Sequence, residues 1–277
     1  LGKQQTAQNN KFPYISAKFK AMRNFIVYSF LLFLAAAPAY GQQEYETFAL
    51  NRGNALIFDL SYGFHQPGGD LDDRFGSHFS IGSGVEWITD KGNWIMGGTF
   101  NYYFGTQVKE NPLLPLLNDQ GFLIGNDREY ADISLRMRGF YAGLHAGKLI
   151  SLGFKNPRSG IRVTVSGGLL QHKIRIQKDP VRRVPQISDE YEKGYDRLTN
   201  GLAFTEFIGY QLLSSNRRIN FFAGFEFTQG LTMSRRSFNF DTRQQDTASR
   251  LDLDFGFRLG WILPFYMGER ASREIYY

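Results

Sequence analysis

The sequence predicts an all-β fold, a transmembrane antiparallel up-and-down β-barrel of about eight strands, and three observations predict it. The first is the alternation of Leu251–Phe265. Every odd position there is apolar (Leu251, Leu253, Phe255, Phe257, Leu259, Trp261, Leu263, Phe265), while the even positions run Asp252, Asp254, Gly256, Arg258, Gly260, Ile262, Pro264. Successive side chains of a strand point to opposite faces, so one face is greasy and the other carries acids, a base and glycines. About ten tilted residues suffice to cross the apolar core of a bilayer. The second observation is that short and long connections alternate along the chain. The third is that aromatic residues gather at both ends of the strands. A soluble sandwich also alternates, but it has no reason to sort its loops by side.

Composition agrees. The 277 residues include 30 Gly, a 16% aromatic share and no Cys, which excludes a disulfide framework, a thiolate metal site and an anchor on an N-terminal Cys. The formal charge of +6 suggests nucleic acid only until it is located. Residues 1–41 hold Lys3, Lys11, Lys18, Lys20 and Arg23 and no acid; without them 27 bases face 26 acids, so nucleic acid is not an expected partner.

Residues 1–41 read as a leader. Met22-Arg23-Asn24 precedes the apolar run Phe25–Ala37, and the small residues Ala39 and Gly41 suit cleavage before Gln42, the pattern of a secretory signal peptide. Residues 1–21 read as an extension upstream of an initiating Met22. Beyond Gln42 no run of 18 apolar residues offers a membrane-spanning helix. Residues 42–53 form a periplasmic lead-in, 54–266 the barrel and 267–277 a periplasmic tail.

The strands follow in order. Leu56, Phe58, Leu60, Tyr62 and Phe64 face out in the first, against Ile57, Asp59, Ser61, Gly63 and His65. After the breaker-rich Gln66–Gly76, Phe79, Ile81, Val85 and Trp87 oppose Ser80, Gly82, Gly84 and Glu86. Asp90–Asn93 is a tight turn into the third strand, marked by Trp94, Met96, Phe100, Tyr102 and Phe104. Gly105–Tyr130 is a long loop. In the fourth strand Ile133, Leu135 and Met137 are expected outward and Asp132, Ser134, Arg136 and Arg138 inward; the apolar phase then shifts to Phe140, Ala142 and Leu144, which calls for a bulge at Gly139. The fifth strand sets Ile161, Val163, Val165 and Leu169 against Arg162, Thr164 and Ser166. After the charged loop Lys178–Thr199, the sixth, Leu202–Leu212, carries Glu206 on its apolar face, which calls for an inverting bulge or a different register. Phe221, Phe225 and Phe227 mark the seventh, with Gly224 and Glu226 inside, and Leu251–Phe265 is the eighth.

In this arrangement Trp87, Trp94 and Phe265 form a periplasmic aromatic girdle, and Tyr62, Phe79 and Tyr102 an outer one. The inward charges Asp59, Glu86, Arg136, Arg138, Arg162, Glu226, Asp252, Asp254 and Arg258 are expected to pair in an interior network that plugs the bore, since buried charges must be paired. A narrow polar conduit is the sharper alternative. His65, His78, His145 and His172 lack metal-binding spacing; His65 and His78 flank the first loop, but two imidazoles without a third ligand do not make a zinc site. Nothing places a nucleophile near Asp70, Asp72 and Asp73, so no catalytic, cofactor or metal site is expected.

Arg258, Gly260, Leu263 and Phe265 resemble the barrel-assembly signal of outer-membrane proteins: polar, any, Gly, two any, apolar, any, aromatic. The resemblance departs at Met267–Tyr277, because that signal usually ends the protein. Its implied partner is the barrel-assembly machinery. The aromatic strands with PGGDLDDRFG, RMRGFYAGLHAGK and NPRSGIR are similar to the small outer-membrane barrels of Bacteroidota, of OmpA/OmpX-like architecture. Some of those, such as PorG, are accessory parts of the type IX secretion and gliding apparatus. The resemblance implies a barrel set in outer-membrane lipid and carries over no functional residue; the filled interior, the long charged loops and the tail point to a structural or interaction role without enzymatic activity. The tail offers Ile275, Tyr276 and Tyr277 to a periplasmic or lipoprotein partner. A small channel or ligand-binding barrel, and a lipid-modifying enzyme, are the alternatives.

Overall fold

The computed structural model describes residues 53–152, 157–214 and 219–267. The leader, residues 42–52 and the tail beyond Met267 lie outside the described residues, together with every expectation placed on them.

The chain runs through β1 (Asn54–Gly69), β2 (His78–Ile88), β3 (Trp94–Gly105), the two-residue pair β4 (Leu123–Ile124) and β5 (Tyr130–Ala131), and then β6 (Ser134–Ser151), β7 (Gly160–Gln177), β8 (Thr199–Leu213), β9 (Asn220–Ser234) and β10 (Ser249–Met267). All but β4 and β5 form a closed antiparallel barrel in the order β1-β10-β9-β8-β7-β6-β3-β2. Closure gives every strand two neighbours and leaves no edge of unpaired backbone groups facing lipid. The β1–β10 seam is continuous from Asn54↔Met267 to Gly69↔Asp252.

Residue parity sets the two surfaces. Leu60, Ile81, Leu144, Ile208, Phe225, Leu259 and Trp261 are exposed on the outside, in a belt that no water-soluble monomer would leave bare. The outer end of the belt carries Tyr62, Phe79 and Phe104 in ring contact, with Tyr102 beside Phe104; at the other end Phe58 meets Phe265 edge-on, 5.6 Å between centroids. Trp94 lies at that same end with the Lys148 ammonium 5.2 Å over its ring, and Trp87 pairs across to Met96. Three short connections lie at that end, and four longer ones, 70–77, 106–133, 178–198 and 235–248, lie at the other. Short turns are periplasmic and long loops extracellular in outer-membrane barrels.

Two expectations are corrected. Strand β6 contains no bulge: its register runs unbroken against β3 and β7, so Met137 points inward and Arg136 and Arg138 point outward. Polarity exchanges faces there because β6 is 18 residues long and its outer third stands above the belt. On that third the outside meets water and the inside meets loop side chains. Strand β7 does the same, with Lys173 and Arg175 outside and Ile174 and Ile176 buried. Asp132 and Ile133 precede β6; the Asp132 amide donates to Asp179 Oδ2 at 2.9 Å, and Ile133 packs beneath the loops. Glu206 lies on the outside of β8, between Val165 and Phe227, with continuous register on both sides. Shifting β8 by one residue would bury Leu202, Phe204, Ile208, Tyr210 and Leu212 in a polar bore, and one carboxylate does not outweigh five apolar side chains.

The belt makes a directional expectation. Leu259→Arg should cost about 2–4 kcal/mol in urea unfolding of the folded barrel, whereas Arg138→Ala, above the belt, should stay within about 0.5 kcal/mol. Equal costs would contradict the placement of the belt.

Candidate functional site

The bore is filled in layers. At the periplasmic end Ile57, Ile88, Ile95, Leu149, Phe207, Leu213, Phe222 and Ile262 form an apolar floor. Arg162 and Arg258 rest on it, their guanidiniums 5.1 and 5.3 Å from the Phe222 ring, close enough for cation–π attraction. Arg162 pairs with Glu86, which also meets His145 Nε2 at 3.1 Å, and Arg258 pairs with Glu226 at 2.8 Å. Asp59 is buried at this level with its carboxylate over Gly84, and it forms no ion pair among the described residues. Above these, Tyr141 and Ser166 hydroxyls bond at 2.5 Å, and Thr205 and Thr228 at 2.9 Å.

The outer half holds two histidine–carboxylate groups. Asp254 is met by His65 Nδ1 at 2.8 Å and by His78 Nε2 at 3.5 Å; Asp252 is met by His172 Nε2 at 2.8 Å and by the Thr232 hydroxyl at 2.5 Å. His65 and His78 are cross-strand partners with stacked rings 5.3 Å apart, and Tyr103 stands perpendicular to both. Gly63 and Gly256 make room for the His65 ring: a Cβ on either would come within 2.6 Å of it.

Of the residues expected inside, Asp59, Glu86, Arg162, Glu226, Asp252, Asp254 and Arg258 are inside, and Arg136 and Arg138 are not. Arg258 and Gly260 of the assembly-signal pattern face the bore, and Leu263 and Phe265 face out. All four histidines are buried against carboxylates, which sequence inspection missed. Their parity was readable: His65 and Asp254 lie on inward faces, and an up-and-down barrel must pair its first strand with its last.

Above the bore the four long loops form an ordered crown. The short helix Asp70–Arg74 closes the mouth, burying Leu71 and Arg74. Arg74 Nε donates to Glu110 Oε2 at 2.7 Å, Arg197 Nε donates to Glu110 Oε1 at 2.6 Å, and Arg197 also pairs with Asp241. Glu110 therefore joins three loops directly, and Arg197 carries the link on to Asp241 in the fourth. Burial pushes its carboxyl up, but Arg74 and Arg197 outweigh this and hold it below the ordinary 4.5. The crown has its own apolar core in Leu113, Leu123, Ala131, Ile176, Val184, Ile187 and Tyr195.

The chemistry available in the bore is pairing, proton holding and ligation. Ser80 Oγ lies 2.8 Å from His65 Nε2, so serine, imidazole and Asp254 fall in the order of a hydrolase relay. Ser80 is 1% exposed beneath the crown, which leaves no approach for a scissile bond.

No family model and no curated relative matches the sequence. Among solved structures the chain is similar to the attachment invasion locus protein Ail of Yersinia pestis, at 8% identity and TM-score 0.40 over 76% of this chain and 99% of that one. It is likewise similar to Neisserial surface protein A (7%, TM-score 0.40, 76% and 99%) and to the outer membrane protein OprG of Pseudomonas aeruginosa (10%, TM-score 0.33, 78% and 97%). The closed strand order, the apolar belt and the sorted loops carry the assignment. The protein is a small outer-membrane β-barrel.

Because the Glu110 carboxyl is depressed in the folded crown, its contribution is present above the ordinary pKa of 4.5 and is lost as pH falls through the lower folded value. Spin labels in loops 106–133 and 235–248 should report one distance at pH 7 that broadens only as pH falls through the folded Glu110 value, below 4.5, and Glu110→Gln should broaden it already at pH 7. A distance insensitive to both changes would contradict the clamp.

Proposed function

We propose that this barrel is a non-enzymatic structural or interaction subunit of the cell envelope, presenting its extracellular crown to a partner. The observation that carries this is a contrast. The bore ends in an apolar floor and is crossed by paired charges, while the loops that reach furthest from the membrane are clamped into an ordered surface. Phe122, Ile124, Tyr130 and Val181 are exposed on that surface, beyond the lipid belt. A conduit needs a continuous wet path and an enzyme an accessible reacting group; a docking platform needs ordered exposed side chains on a rigid support.

The finer reading is an accessory subunit of an envelope or secretion assembly, in keeping with the resemblance to barrels of Bacteroidota and to PorG. Insertion would use the barrel-assembly machinery through Arg258, Gly260, Leu263 and Phe265, and the tail after Met267 would serve a periplasmic or lipoprotein partner.

Two measurements separate this proposal from its alternatives. Folded protein in planar bilayers should give no steady conductance, and a fluorophosphonate probe should label no serine; unitary currents, or labelling at Ser80, would replace the proposal with a channel or a hydrolase. Crosslinking in native membranes through a photoreactive group at Tyr130 should then trap one recurrent partner. Trapping lipid alone would contradict docking through the crown.

A further inference from the structure

The inward strand faces bury five carboxylates, Asp59, Glu86, Glu226, Asp252 and Asp254, against two guanidiniums, Arg162 and Arg258. A buried charge without a counterion costs several kcal/mol, so the bore needs further positive charge. Glu226 and Glu86 have their arginines. Among the described residues no arginine lies within ion-pairing distance of Asp254, and it is the carboxylate flanked by two imidazoles.

The hydrogen bonds at the outer sides of those imidazoles restrict what lies between them. His78 Nδ1 is 3.3 Å from the Gly76 carbonyl oxygen, which can only accept, so Nδ1 carries a hydrogen. In a neutral ring Nε2 then presents a lone pair towards Asp254 Oδ1, 3.5 Å away. Lone pair against carboxylate is repulsive unless something positive stands between them. His65 faces the same carboxylate, with Nδ1 2.8 Å from Asp254 Oδ2, while its Nε2 lies 2.8 Å from Ser80 Oγ, a hydroxyl that can accept from the ring when Nδ1 is given to a cation. Ring nitrogens held from behind by a carbonyl and a hydroxyl are the outer-sphere pattern of metal-binding histidines.

We propose that His65, His78 and Asp254 form a site for one borderline divalent transition cation, with zinc as its representative, enclosed in the outer half of the barrel. One nitrogen of each imidazole and one Asp254 carboxylate oxygen lie within 4.8 Å of one another. Tetrahedral zinc with bonds of about 2.0–2.1 Å sets its ligand atoms roughly 3.3 Å apart; the 2.8 and 3.5 Å separations, each to a different Asp254 oxygen, bracket that value, and a side-chain adjustment would bring the three ligand atoms to it. Two nitrogens and one oxygen favour zinc and its neighbours over calcium or magnesium, and they leave a further coordination position open. The site spans β1, β2 and β10 and so straddles the closing seam. A bound cation would link the first strand to the last while supplying the positive charge that Asp254 lacks. The Ser80–His65–Asp254 relay leaves His78 without a role; the cation uses all three side chains, with Ser80 positioning His65.

The test uses the full chain refolded in detergent, stripped with a chelator and loaded in two ways: by zinc titration against a chromophoric competitor, and by refolding in zinc followed by desalting and elemental analysis. The refolding arm removes the crown as a barrier to entry. One equivalent of zinc should be retained, and cobalt loading should give the intense visible bands of a low-coordinate site. His78→Asn and Asp254→Asn should each reduce retention to less than a tenth, while Ser80→Ala should weaken affinity about 10–100-fold. His145→Asn and His172→Asn, where each carboxylate has one imidazole, should retain the full equivalent. Folded wild-type protein that keeps no zinc by either route would overturn the proposal and leave Asp254 sharing a proton with the histidines. So would cobalt spectra without those bands, or retention undiminished in both His78→Asn and Asp254→Asn.

Discussion

The seam between β1 and β10 is the constraint on which the rest depends. Lipid offers no hydrogen-bonding partner to a peptide group, so a strand crossing the bilayer must be paired on both sides. The 16 residue pairs from Asn54↔Met267 to Gly69↔Asp252 meet that requirement for the first and last strands together. Once they are joined, parity fixes every side chain as lipid-facing or bore-facing. Closure also creates neighbours that chain order hides: His65 comes opposite Gly256, whose missing side chain admits the imidazole beside Asp254.

Filling the bore follows from its width. Eight strands enclose a space that side chains can occupy completely, and here large apolar residues occupy the periplasmic end. Arg162 and Arg258 join the two regimes, with guanidinium faces on Phe222 and hydrogen-bonding edges turned to Glu86 and Glu226. Higher up the partners of the carboxylates are histidines, His65 and His78 at Asp254 and His172 at Asp252.

Much of the barrel was legible because its lipid face obeys one rule. Every odd position of Leu251–Phe265 is apolar and faces out, and the outward residues of β1, β2 and β3 were each placed by parity alone. The rule misled where its premise ended. Arg136 and Arg138 were expected inside because charges avoid lipid, but β6 had already left the belt, and sequence periodicity does not mark the membrane surface. Glu206 raised doubt about a register that five apolar neighbours determine. The histidine groups were hidden for another reason: His65 and Asp254 are nearly the whole barrel apart in sequence, and only closure brings them together. The Glu110 clamp carried no periodic signal, since its partners lie in separate irregular loops.

The native chain has no cysteine, so single cysteines can be placed along β10 without background. Spin labels at successive positions from 252 to 265, in protein reconstituted into bilayers, would compare collisions with oxygen, which dissolves in lipid, and with a polar nickel chelate, which does not. A two-residue period is expected, with high oxygen accessibility at 257, 259, 261 and 263 and low accessibility to both reagents at 254, 256, 258, 260 and 262. A flat profile, an inverted period, or a period near 3.6 would contradict a lipid-facing barrel strand.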